Sequence, residues 1–218
     1  MGKQGSLRIA EAGPAGCAPV GPAVPCFTPG TGIVTDRGER SVETLQVGDR
    51  VLTRDNGLQQ IRWAGQRFLT AQDLAANSHL RPILISRGAL GPEMPDRDML
   101  VSPQHRVLVS NELTMLYFAE HEVLVAARHL IGLPGIRETQ APSTRYIHFM
   151  CDRHQVVLSD SAWTETFQPG DRTLGALGNA QRLELFELFP ELDTARGGKG
   201  YAAARKTLRA HEATLLRT

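Results

Sequence analysis

The sequence predicts an all-β domain followed by a helical C-terminal tail. Short runs of branched apolar residues alternate with Gly, Pro, Asn and Asp turns, which is typical of a twisted β-sheet domain. The β-strand patterns do not alternate with helical ones, as the parallel sheet of a nucleotide-binding fold requires. From about Leu183 the apolar spacing becomes helical, in residues 183–192 and again in residues 201–217.

Turn residues delimit the predicted strands. Pro29-Gly30 precedes the first strand, Gly48-Asp49 precedes the second, and the Asn56-Gly57 pair predicts a hairpin between the second and third. The predicted strands are residues 33–35, 51–53, 58–65, 81–85, 99–101, 106–109, 123–127, 146–150 and 155–158.

The predicted organisation has three parts within 218 residues. A Gly-, Pro- and Ala-rich leader covers residues 1–25, the β-rich domain covers residues 26–170, and the helical extension covers residues 171–218. We expect a monomer.

The bulk properties point to no macromolecular partner. The net charge of +1 gives no support for binding to nucleic acid. No apolar run approaches the roughly 20 residues of a membrane-spanning helix, and the N-terminus lacks the layout of a signal peptide. We therefore expect no nucleic-acid or membrane partner, and a location either in the cytoplasm or outside the cell by a non-classical route.

Cys26 is the best candidate for chemistry. It stands directly before the first turn, whereas Cys17 lies in the leader and Cys151 between two predicted strands. Three cysteines are too few for a disulfide framework, so at least one thiol is free. A thiol becomes nucleophilic beside a histidine that is distant in sequence. Such partners stand in two segments: Ser102 with His105, and His148 with His154.

The motifs around these residues resemble those of the Hint domain, the fold shared by Hedgehog autoprocessing domains and inteins. Residues 26–53 resemble the first motif, a Cys followed by G-T-x-I and then V-x-x-L-x-x-G-D-x-V. Residues 98–108 resemble the second motif, usually T-x-x-H, with Ser102 in place of Thr. Residues 146–170 are similar to the last motifs, with His154 near the later histidine of the family.

The resemblance implies that the domain cuts its own chain. Cys26 would attack the carbonyl carbon of Pro25 and convert the peptide bond to a thioester. His105 would polarise and protonate the scissile nitrogen, with Ser102 hydrogen-bonded to the same peptide. His148 or His154 would deprotonate Cys26 or the nucleophile that later attacks the thioester. The substrate is then the domain's own upstream segment, and water or a thiol would resolve the thioester and release it. We expect no metal or other cofactor.

Two features of this chain depart from the pattern of that family. Inteins end their last motif with His-Asn followed by Ser, Thr or Cys, whereas residues 161–165 read Ser-Ala-Trp-Thr-Glu, so we expect no splicing. Pro25 crowds the carbonyl that is to be attacked, so we expect cleavage to be slow or absent. Asp98 and Thr31 are supporting candidates, Asp98 because it precedes the His105 turn.

Two other hypotheses remain open. In one, the domain has lost catalysis and serves as a binding or structural module. In the other, Cys151, His154 and His148 form a metallohydrolase site, since Cys151 and His154 have the C-x-x-H spacing of half a zinc site.

Overall fold

The computed structural model describes residues 24–169 and 201–216. These residues form a mostly β fold, which confirms the predicted fold class. The strands are β1 Gly32–Thr35, β2 Gly38–Ser41, β3 Arg50–Thr53, β4 Gly57–Gln60, β5 Trp63–Leu69, β6 Ile83–Ile85, β7 Met99–Val101, β8 Arg106–Val109, β9 Val123–Ala126, β10 Ile136–Glu138, β11 Thr144–Met150, β12 Val156–Ser159, β13 Ala162–Glu165 and β14 Lys206–Thr207. The short helices are α1 Ala71–Ala76, α2 Glu112–Phe118 and α3 Ala210–Ala213.

The strands make three sheets. A nine-stranded sheet has the order β14-β9-β8-β13-β12-β1-β3-β4, with β2 paired to β1. A second sheet has the order β10-β6-β7, and a third consists of β5 and β11 alone. Most pairs are antiparallel, and tight turns join neighbours such as β12 and β13. The two turn residues there, Asp160 and Ser161, have φ of 45° and 60°, as the commonest two-residue hairpin requires.

The β5–β11 ladder is the longest pairing in the described part of the chain. It joins seven residue pairs, from Thr144 opposite Leu69 to Met150 opposite Trp63. All but one of the residues of β11 are buried, because this strand runs through the interior rather than along an outer face. The ladder thereby carries His148 into the core, directly opposite Gly65.

The apolar core consists of three clusters. One contains Cys26 together with Val24 and large side chains from several elements and connecting segments: Trp63, Leu69, Leu74, Leu80, Tyr146, Met150, Phe167 and Tyr201. The others lie around Phe27 and Ile33, and around Val107 and Val125. The nucleophile predicted from the sequence is therefore a core residue with 0% exposure.

Several elements differ from the sequence prediction, including strands β2, β10 and β13, which were not predicted. The strand predicted over residues 58–65 is two strands, because the chain leaves β4 at Gln60 and begins β5 in another sheet at Trp63. Helices α1 and α2 were not predicted. Each begins with a capping box, Thr70 with Asp73 and Asn111 with Thr114, in which both side chains hydrogen-bond to backbone N–H groups.

The described part of the C-terminal tail, residues 201–216, is less helical than predicted. Within residues 201–216 only α3 and a 3-10 turn at Thr214–Leu216 are helical, whereas Lys206 and Thr207 form β14, parallel to β9. The helix predicted over residues 183–192 and most of the leader lie outside the described residues. Among the described helices, none has the length and apolar character needed to cross a membrane.

Candidate functional site

Backbone pairing of Phe27 fixes the position of Cys26. Phe27 bridges two strands from different sheets, pairing with Ile147 of β11 and Val101 of β7. Its N–H donates to the Ile147 carbonyl at 2.7 Å and its carbonyl accepts from Ile147 N–H at 2.9 Å. Ser102 and His148 directly follow these two partners of Phe27, and both contact Cys26. They are 76 and 122 positions away from Cys26 in sequence.

Ser102 holds the peptide on the N-terminal side of Cys26. Its Oγ accepts a hydrogen bond from Cys26 N–H at 2.9 Å and donates one to the Val24 carbonyl oxygen at 2.6 Å. The backbone N–H of Ser102 also donates to the Cys26 carbonyl at 3.0 Å. The serine thus contacts the nitrogen of the Pro25–Cys26 bond directly and clamps the chain on both sides of Pro25.

His148 contacts the thiol. Its Nδ1 lies 3.3 Å from Cys26 Sγ, and the same sulfur lies 3.3 Å from the Val24 carbonyl oxygen. Burial lowers the pKa of His148 to about 4, so the ring is neutral at pH 7 and one nitrogen is free to accept a proton. Burial also raises the pKa of the Cys26 thiol far above its ordinary value. The resting pair is therefore a thiol beside a neutral imidazole.

Aromatic side chains and one glycine surround the His148 ring. Trp63 stacks on it with ring centroids 5.1 Å apart, and Phe167 lies 5.5 Å away. A Cβ at Gly65 would come within 2.7 Å of His148 Nε2, so only glycine leaves room for the ring in this orientation. Gly65 is not among the residues predicted from the sequence, although an isolated glycine inside a strand is a known signal of close approach.

His105 lies on the other side of Phe27. The two rings have centroids 4.4 Å apart at an interplanar angle of 61°. Neither ring nitrogen has a hydrogen-bond partner among the described residues, and burial lowers the pKa of His105 to about 4. A buried imidazole without partners is costly, and such groups are characteristic of functional sites.

His154 belongs to a polar cluster with Glu165 and Arg106, and it makes no hydrogen bond to Cys26. Its Nδ1 accepts from Ala204 N–H at 2.9 Å, so its Nε2 carries the hydrogen and donates to Glu165 Oε2 at 3.0 Å. Arg106 donates to the same oxygen at 2.8 Å. Burial alone would raise the pKa of Glu165, but Arg106 and His154 outweigh it and hold that pKa below its ordinary value. The sequence did not single out Glu165 or Arg106 as partners of His154.

The two supporting candidates have local structural contacts. Thr31 Oγ1 donates to the Thr28 carbonyl at 2.9 Å, within the turn after Cys26. Asp98 is exposed and accepts from Arg87 N–H at 2.9 Å, so it braces a loop rather than the His105 ring.

The metallohydrolase hypothesis requires Cys151, His154 and His148 to converge. Among the described residues, no three His, Cys, Asp or Glu side chains come together so that they could hold a metal ion. Both nitrogens of His154 are already engaged. Burial raises the pKa of Cys151 to about 12, which disfavours the thiolate that binds zinc. The geometry does not support this alternative.

Comparison with known proteins gives the following similarities. An intein-like domain from Clostridium thermocellum is 14% identical, with a TM-score of 0.43 over 66% of this chain and 99% of that one. The DnaB intein from Synechocystis sp. PCC 6803 is 13% identical, with a TM-score of 0.39 over 65% and 98%. The gp41-1 intein is 12% identical, with a TM-score of 0.39 over 65% and 98%. A comparison with curated protein sequences gives no match.

A sequence model of a protein family also matches. It is described as the Hint domain and covers residues 25–171, well over half of the 218 residues. The matched range begins at the Pro25–Cys26 bond and contains Ser102, His105 and His148. The predicted resemblance is confirmed, and the protein belongs to the Hint domain family of self-processing domains.

Proposed function

We propose that this Hint domain cleaves its own Pro25–Cys26 peptide bond by an N-to-S acyl shift and then resolves the thioester, without splicing. One observation carries the proposal: Ser102 Oγ lies 2.9 Å from the nitrogen of that bond while His148 Nδ1 lies 3.3 Å from the attacking sulfur. A hydroxyl at the leaving nitrogen and a proton acceptor at the nucleophile are two of the groups that this reaction needs.

The first step exchanges one acyl bond for another. His148 Nδ1 takes the thiol proton as Cys26 Sγ adds to the carbonyl carbon of Pro25. The carbon–nitrogen bond then breaks, and the proton that His148 took ends on the nitrogen of Cys26, which becomes an amine. The chain gains and loses no atoms in this step, since a peptide bond is replaced by a thioester.

His105 and Ser102 act on the leaving nitrogen. Ser102 fixes the orientation of the scissile N–H, and we assign His105, whose ring nitrogens have no other partner, to polarising the same peptide. His154 is given no part in the reaction, since Glu165 and Ala204 already occupy its nitrogens.

Resolution of the thioester releases the upstream segment. Water adds to the acyl carbon and displaces Cys26 Sγ, which leaves a carboxylate on Pro25 and a free thiol. An added thiol does the same by exchange and gives a new thioester on Pro25. The buried thiol and the ring of Pro25 both favour slow turnover.

Intact mass spectrometry of the full chain tests the proposal. On incubation with dithiothreitol, we expect the full-length mass to convert to residues 26–218 with a first-order time course. The Cys26→Ala variant keeps its full-length mass, and Cys17→Ala behaves as the wild type. If the full-length wild type persists for days, as Cys26→Ala does, the chain does not process itself and the binding-module hypothesis replaces this one.

A further inference from the structure

We propose that Val24 is the residue by which the domain recognises its upstream segment, through a site that takes a small branched apolar side chain. The inference rests on the proposed cleavage, because the recognised segment is the one to be released. It adds a specificity determinant on the substrate side of the scissile bond, one residue before Pro25.

The first observation concerns the backbone of Val24. Its carbonyl oxygen accepts a hydrogen bond from Ser102 Oγ at 2.6 Å and faces Cys26 Sγ at 3.3 Å. Both groups belong to the cleavage site. If residue 24 moves, Ser102 loses the acceptor that orients its hydroxyl toward the nitrogen of Cys26. The position of Val24 is therefore coupled to the geometry of the scissile bond.

The second observation concerns the side chain. Val24 is 9% exposed and belongs to the same apolar cluster as Cys26, Trp63 and Tyr146. Its neighbours in sequence reinforce this placement, since the residue before a proline prefers an extended backbone and Pro25 is itself buried. A charged side chain at position 24 would be buried among apolar groups, which is strongly unfavourable.

The size of the expected effect follows from the area that is buried. Removing two methyl groups in Val24→Ala weakens docking of the segment and slows cleavage by about tenfold. Val24→Asp slows it by about 100-fold or more, because the carboxylate must be desolvated or the segment must leave its site. Val24→Ile retains the branched apolar shape and cleaves within about threefold of the wild type.

The matched control is Val20→Asp, the same substitution in the leader four residues upstream. We expect it to cleave at the wild-type rate. The inference is overturned if Val24→Asp cleaves as fast as the wild type, or if Val20→Asp is slowed equally. Thermal midpoints of all variants are measured alongside, so that a loss of the folded state is not taken for a loss of recognition.

A second measurement separates this inference from the cleavage proposal. In a Cys17→Ala/Cys26→Ala background, which cannot cleave, Val24→Cys is labelled with a maleimide, and only buried Cys151 competes. We expect labelling at least about tenfold slower in the native chain than in denaturant. Equal rates overturn the inference even if the wild type cleaves. Protection in a chain whose wild type never cleaves would show that Val24 is docked, but it would remove the proposed function and with it the role of Val24 in selecting the segment to be released.

Discussion

His148 and His154 lie six positions apart, and both are almost completely buried, yet their surroundings are opposite. His148 lies between Trp63 and Phe167, with Nε2 unpaired and Nδ1 directed at a thiol. His154 has both nitrogens hydrogen-bonded, in a cluster with Glu165 and Ala204. The difference is one of available nitrogens: both nitrogens of His154 are engaged by structural partners, whereas Nδ1 of His148 faces the Cys26 thiol.

The largest expected effect is on the rate, at His148. His148→Phe retains an aromatic ring between Trp63 and Phe167 and removes the proton acceptor at Cys26. Cleavage should slow by about 10²- to 10⁴-fold, the range found for loss of a general base. Intact mass spectrometry measures the rate, and the thermal midpoint should not fall, since a buried unpaired nitrogen is removed. A rate near that of the wild type would place the proton acceptor elsewhere.

The next effect is acid destabilisation, which comes from the buried histidines without polar partners. The pKa values of His105 and His148 fall to about 4 in the folded state from an ordinary value near 6.5. Between these values the unfolded chain binds more protons than the folded chain, so stability is fully present above pH 6.5 and declines as the pH falls toward 4.

Each of the two histidines should cost about 3 kcal/mol by pH 4. Urea titrations of Cys26→Ala from pH 7 to 4 measure this decline without interference from cleavage. Adding His148→Phe should remove about half of the pH-dependent loss of unfolding free energy that the two rings cause together. If the free energy of unfolding does not change with pH in this range, the two rings take up protons equally in the folded and unfolded chain, and their pKa values are not lowered by burial.

The smallest of these effects is on stability, at His154. His154→Phe leaves Ala204 N–H unpaired and deprives Glu165 of a donor, so we expect a loss of about 1–3 kcal/mol in the free energy of unfolding. The cleavage rate of the folded molecules should be unchanged. His79→Phe, on an exposed histidine, serves as control and should stay within about 0.5 kcal/mol. A specific loss of rate in His154→Phe would give His154 a catalytic role after all.

The sequence allowed prediction of the all-β class, because strand and turn signals are local. The family motifs also predicted that Ser102, His105 and one of His148 and His154 act with Cys26, and in the structure Ser102 and His148 contact Cys26. The sequence could not assign the roles of His148 and His154, since those depend on which residue is brought opposite each ring. The β5–β11 register places Gly65 against His148, and β14 brings Ala204 to His154. An isolated strand glycine such as Gly65 signals a close approach but does not say which residue approaches, and nothing local marks the second contact.

The same long-range dependence explains the error in the tail. Residues 201–209 have the alanine-rich composition of a helix, but tertiary contacts override that propensity. Leu208 N–H donates to the Leu124 carbonyl, and Arg205 pairs with Asp55 and Glu122. Helix propensity is worth a few tenths of a kcal/mol per residue, which is too little to oppose these contacts.

The pairing of β14 with β9 also determines how the protein can be truncated. β9 is buried at all four of its positions, and β14 satisfies its outer backbone groups at Val123 and Leu124. A recombinant fragment that ends where the family match ends, at residue 171, would present this apolar strand as an open sheet edge. The exposed edge of such a fragment can pair with the same edge of another molecule, and we expect the fragment to precipitate where the full chain stays in solution.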